Sequence, residues 1–125
     1  MTFALWTILA AMVLPYLCAG AAKSPGGGYD NAAPRTSLDR MKGWRARADW
    51  AQRNHFEAFA PFAAAVLTAQ WVHAPQGRID LLAGLFILAR IIYTAMYIAN
   101  LPTLRPLVWT VGFVCVVLLF CAGVL

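Results

Sequence analysis

Charge is scarce in this chain: charged residues make up 12% of the 125, and only five are acidic. Soluble domains average about 25% charged and about 45–50% apolar, whereas this chain is 62% apolar with a mean hydropathy of +0.66. A water-soluble domain of this size buries too little of its surface to hide that much apolar area. A purely aqueous existence is therefore excluded, and lipid must cover part of the chain. Cysteine is also sparse. Cys18, Cys115 and Cys121 all fall in apolar stretches with no ligand-like spacing to His55 or His73, which leaves a disulfide framework or a metal site without support. No glycine loop sits in strand–helix context to cradle a phosphate, no Ser-His-Asp grouping occurs, and no nucleic-acid motif is present.

Four apolar stretches fill most of the chain, at about 2–22, 54–73, 79–99 and 107–125. Each is close to the roughly 20 residues that a helix needs to cross a bilayer. Four spans cannot close a barrel, so the backbone must satisfy its own hydrogen bonds as helix. The reading is all-α: a single domain over residues 1–125, folded as an integral membrane four-helix bundle. Pro75 and Gly77 mark one tight connection, and Pro102 and Pro106 mark another. The long connection, 23–53, opens with Ser24-Pro25-Gly26-Gly27-Gly28 and is expected to be a loop. The first stretch lacks a basic leader and is too long for a cleaved signal, so it is expected to remain as a span.

Basic residues set the orientation. Seven of the ten lie between Lys23 and Arg53, and Arg105 lies in the third connection, against Arg78 alone in the second. The side holding that excess is expected to be cytoplasmic. Beside a membrane such a loop is a topology signal, and no nucleic acid is expected as a partner.

A few ionisable groups interrupt the apolar stretches, and at membrane depth such groups are functional candidates by default. Trp50, Asn54, Glu57 and Pro61 stack on one helical face, as do Arg90, Tyr93, Thr94 and Tyr97 on the next. Two readings fit. Either Glu57 pairs with Arg90 across the bundle as a buried ion pair, or the two faces line a polar cleft near the cytoplasmic surface. Such a cleft suits a small anionic ligand meeting a lipophilic one from the bilayer.

Ala51-Gln52-Arg53-Asn54-His55-Phe56-Glu57 with Pro61-Phe62, followed by Arg90-Ile91-Ile92-Tyr93, Tyr97 and Arg105, resembles the MAPEG family. These are membrane-associated proteins in eicosanoid and glutathione metabolism. The motifs cover roughly residues 45–110, and the layout matches over the whole chain. The resemblance implies a homotrimer in contact with membrane lipids, with glutathione as co-substrate bound between subunits near the cytoplasmic face. It implies that Gln52, Asn54 and Glu57 hold the tripeptide and that Arg53, Arg90, Tyr93 and Tyr97 line the rest. Arg105 matches the arginine that stabilises the glutathione thiolate in catalytic members. The implied activity is a transferase or peroxidase acting on lipophilic electrophiles.

The chain departs from the family pattern at Trp50, where glutathione-using relatives carry arginine, and at Ala58, where an aromatic is frequent. Pro106 and Trp109 depart as well. Arg47 or Arg53 is a potential substitute for the missing arginine. The alternative function is a non-catalytic membrane protein of the same scaffold, binding lipid or serving as an accessory subunit.

Overall fold

A computed structural model describes residues 1–124; Leu125, the end of the fourth apolar stretch, lies outside the described residues. Among the described residues there are five helices and no strand: α1 (Phe3–Ala22), α2 (Pro34–Arg40), α3 (Gly43–Trp71), α4 (Gln76–Ile98) and α5 (Arg105–Phe120). α1 and α4 are each long and apolar enough to cross a membrane.

Local chemistry explains the ends. Thr2 caps α1 by accepting the Leu5 N–H on its hydroxyl at 3.4 Å. α3 and α4 finish in the same way. The His73 N–H bonds to the Gln70 carbonyl and the Ala74 N–H to the Ala69 carbonyl, while Asn100 and Leu101 repeat the pattern on Tyr97 and Met96. His73 and Asn100 adopt positive φ (54° and 60°), the left-handed cap usually given to glycine, and each of these turns runs into a proline. Neither cap position itself carries glycine, so the sequence marked the connections by Pro75, Gly77, Pro102 and Pro106 and not the caps.

Three elements differ from expectation, one of them α5, which at 16 residues ends at Phe120 with turns over 121–124, where the fourth apolar stretch suggested helix over 107–125. α3 begins at Gly43, well ahead of the apolar stretch at 54–73, because Ala46, Ala48 and Ala51 pack inward and Asp49 pairs one turn on with Arg53 at 2.9 Å. Hydropathy reports the lipid-compatible part of a helix and is blind to a charged extension of it. α2 lies inside the expected loop, started by Pro34 at its first turn and tied to α3 through Asp39.

α3 packs against α1, α4 and α5, and α4 against α1 and α5. Small residues let these helices approach: Ala4, Ala65, Ala69 and Ala83 are fully buried. The Phe62 and Phe86 rings stack at 3.8 Å between α3 and α4. The large apolar side chains largely point the other way: Trp6, Leu9, Tyr16, Leu81, Leu88, Leu107 and Phe113 are all exposed. An interior of small residues inside a surface of large apolar ones suits lipid rather than water.

The helices alternate in direction, so the molecule has two ends. At one, the start of α1 meets the start of α4, where the Asp80 carboxylate accepts the Ala4 N–H at 2.9 Å. At the other, α3 begins beside the end of α4, and Arg47 donates twice to the Ile98 carbonyl, at 3.0 and 3.1 Å.

Candidate functional site

The site lies toward the second end, where α3, α4 and α5 converge. Four of its side chains form a continuous stack. The Arg90 guanidinium lies over the Tyr93 ring at 4.6 Å. Tyr93 meets Tyr97 edge to face at 5.4 Å, and the Arg105 guanidinium covers the far side at 4.2 Å from the Tyr97 centroid. Helical spacing places Arg90, Tyr93 and Tyr97 on one face of α4, and Arg105 joins them as the first residue of α5. Trp50 of α3 leans on Tyr97 at 6.4 Å. Among the described residues, neither Arg90 nor Arg105 forms an ion pair with a carboxylate; the pairs present join Arg53 to Asp39 and Asp49.

A cavity of about 220 Å³ opens beside this stack. Asn54, Glu57 and Arg90 form its polar end, and Phe86, Trp109, Gly112, Phe113 and Val116 form its apolar wall. Its width owes something to Ala58 and Gly112, which contribute almost no side chain. The Asn54 amide donates to the Glu57 carboxylate at 3.3 Å, while its own Oδ1 is buried without a partner. An orphaned acceptor beside a carboxylate and a guanidinium is a place for a ligand N–H.

The Glu57–Arg90 ion pair, one of the two readings the sequence left open, is not formed among the described residues. Arg90, 3% exposed, instead donates from Nε and Nη2 to Nδ1 of His55, both at 3.2 Å. Positions 55 and 57 lie about 200° apart around a helix, so only one can point into the α3–α4 contact, and it is the histidine. Its Nε2 lies 2.7 Å from the Thr94 hydroxyl, which donates back to the Arg90 carbonyl at 3.0 Å. A guanidinium only donates, so Nδ1 is the acceptor and Nε2 carries the proton.

The structure thus brings Asn54, Glu57 and Arg90 together at the cavity, and joins Tyr93, Tyr97 and Arg105 to Arg90 through the stack, although these three do not line the cavity itself. It does not bring Arg53 there. Arg53 is mostly exposed and holds Asp39 at 2.8 Å and the buried Asp49 at 2.9 Å. The hydrogen bond to Asp39, with the charge of Asp49 behind it, raises the Arg53 pKa above its ordinary value. Gln52 is half-buried with an unpartnered Oε1 and does not line the cavity. His55 was missed by sequence reasoning, which weighed it only as a metal ligand. Its signal was available: a histidine in an apolar stretch needs polar partners, and Arg90 and Thr94 offer a pair four residues apart on the next helix. The apolar wall carried no signal, because periodicity does not show where packing leaves a gap.

The model of the MAPEG family matches residues 3–125, essentially the whole chain. No curated protein and no solved structure matches significantly. The chain belongs to the MAPEG family, a family of membrane proteins.

Proposed function

We propose that this chain is a glutathione-dependent membrane enzyme, a transferase or peroxidase acting on lipophilic electrophiles, with Arg105 as the residue that activates the thiol. The observation that supports it most is the stack of two carboxylate-free arginines around Tyr93 and Tyr97, placed beside a cavity with a polar end and an apolar wall. Glutathione carries an ammonium group, two carboxylates, two amides and a thiol. Glu57 suits the ammonium, the orphaned Asn54 Oδ1 suits an amide N–H, and Arg90 suits a carboxylate.

A thiol with a pKa of about 8.5 is mostly protonated at neutral pH, and an adjacent cation favours the nucleophilic thiolate. Arg105 remains charged throughout, so it acts by electrostatics and hydrogen bonding and not as a base. The thiolate sulfur bonds to the electrophilic carbon as the leaving group departs with its electron pair. The apolar wall holds the lipophilic partner, which arrives from the bilayer.

In this reading the chain crosses the membrane four times, with 23–53 in the cytoplasm, and assembles as a homotrimer. Unpartnered buried acceptors on Gln52 and Asn54 are the kind of groups a neighbouring subunit or ligand completes. A cysteine introduced at Ser37 should resist an impermeant thiol reagent in intact cells, and labelling without lysis overturns the orientation.

One observation favours the non-catalytic alternative. Arg47 is engaged with the Ile98 carbonyl and Arg53 with two carboxylates, so neither replaces the arginine absent at Trp50. Turnover separates the readings. Purified protein should conjugate glutathione to a generic aryl halide, and Arg105→Leu should lower the rate by about 10²–10³. Arg105→Lys keeps a cation without the planar fork and should retain part of the rate. Wild-type protein no faster than the solution reaction supports the lipid-binding or accessory role instead.

A further inference from the structure

Buried cations in membrane proteins are ordinarily matched by a carboxylate, because an uncompensated charge away from water is costly. Arg90 breaks that habit. Its buried guanidinium is held by a neutral imidazole, and the nearest candidate counter-charge, Glu57, is turned to Asn54. The imidazole is itself fixed, since its Nε2 is engaged by Thr94 and the Thr94 hydroxyl is anchored on the Arg90 backbone. The loop closes on itself: guanidinium to ring, ring to hydroxyl, hydroxyl to the carbonyl of the same arginine.

Two consequences follow from this closed loop. Nε and one terminal nitrogen of Arg90 are committed to His55, and no bond to Nη1 is found among the described residues. Arg90 also lines the cavity. A carboxylate in place of His55 would fix the same edge but cancel the charge; a neutral acceptor fixes the edge and leaves the charge in force.

We propose that His55 is a positioning residue, a neutral clamp that orients Arg90 so that its remaining N–H groups and its full charge serve an anionic group of the ligand in the cavity. The ligand's identity as glutathione rests on the reading above; the clamp does not.

Three substitutions at one position separate the clamp from mere packing. Asparagine places an acceptor where Nδ1 lies and cannot reach Thr94. Glutamine places its amide where Nε2 lies and gives up the acceptor for Arg90. Leucine removes both. The first readout needs no ligand: in full-length protein in detergent with isotope-labelled arginine, the Arg90 Nε–H resonance is assigned by its loss in Arg90→Lys. It should exchange slowly with solvent in wild type and His55→Asn, and quickly in His55→Gln and His55→Leu. Thr94→Val, which frees the ring while preserving side-chain shape, should speed the exchange in part and covers the case in which a His55 variant does not fold.

The second readout is glutathione affinity, followed by tryptophan fluorescence. It should fall roughly ten-fold in His55→Gln and His55→Leu, the size of one lost hydrogen bond to a charged group. His55→Asn should stay within about two-fold, inside the scatter of such effects. Turnover, where present, should show the change in KM rather than kcat, because binding is what Arg90 serves. Equal exchange rates in the asparagine and glutamine variants, or affinity that follows thermal stability alone, overturns the clamp. Wild-type protein that shows the exchange pattern but binds no glutathione supports the clamp and refutes glutathione as the ligand.

Discussion

The two ends of the molecule use similar polar residues for opposite purposes. At the end where α1 and α4 begin, polar side chains are spent on closing the fold. Asp80 accepts the Ala4 N–H and the Gln76 amide at 2.8 Å, Arg78 donates to the Ala122 carbonyl at 3.0 Å, and Gln70 donates to the Thr2 hydroxyl at 2.9 Å. Asp80 and Arg78 thereby satisfy backbone groups at helix ends that would otherwise be orphaned. At the end where α3 and α5 begin, Arg47 does that kind of work on Ile98, Arg45 donates to the Pro25 carbonyl at 2.7 Å, and Arg53 ties Asp39 and Asp49. Among the described residues, the groups left open there are two arginines without carboxylates, a buried amide oxygen without a donor, and a carboxylate bonded only to Asn54. On the function proposed above, the satisfied groups serve the fold and the unsatisfied ones await a ligand. A count of ionisable residues at membrane depth does not distinguish the two ends; the destination of each hydrogen bond does.

Substitutions that cross over between the ends test the contrast. The largest effect expected is on rate at the open end, where Arg105→Leu lowers turnover by about 10²–10³ while thermal stability stays near wild type. Asp80→Ala at the tied end should do the reverse. It leaves the Ala4 N–H without its acceptor and costs about 1–3 kcal/mol of stability, with turnover per folded protein unchanged. A rate defect in Asp80→Ala as large as that of Arg105→Leu would erase the distinction. The cavity wall offers a smaller change. A Cβ at Gly112 meets Phe86 and Ala89 at ordinary contact distances of 3.8 and 3.9 Å, so the backbone accommodates a side chain there. Gly112→Leu then occupies cavity space and should raise KM for a bulky lipophilic electrophile by roughly ten-fold, with affinity for glutathione little altered. An unchanged KM would place the lipophilic partner elsewhere.

Much of this contrast is legible in the sequence, and the exceptions share a cause. Apolar length alone located α1 and α4, and helical spacing placed Arg90, Tyr93 and Tyr97 on one face, as found. The start of α3 was hidden because Trp44 to Arg53 is helical through packing and an Asp49–Arg53 contact, neither of which registers as hydropathy. The Arg90 partner was left open between two readings for a similar reason. Opposite charges at plausible depth suggested Glu57, but pairing across helices depends on rotation about the helix axis, which spacing within one helix does not report. His55, two residues away, has the rotation that reaches Arg90. Sequence identified which groups are expensive; the tertiary contacts show which of them the fold itself satisfies.

The central claim is that the open end makes a glutathione thiolate. It is tested most directly by the ultraviolet absorbance of a thiolate on mixing purified protein with glutathione at neutral pH, without any electrophile. Wild-type protein should develop that absorbance in proportion to its sites, and the Arg105→Leu variant should bind glutathione without developing it. A wild-type protein that develops none, indistinguishable from Arg105→Leu, would contradict the claim and leave Arg105 as a cation stacked on Tyr97 at the start of α5.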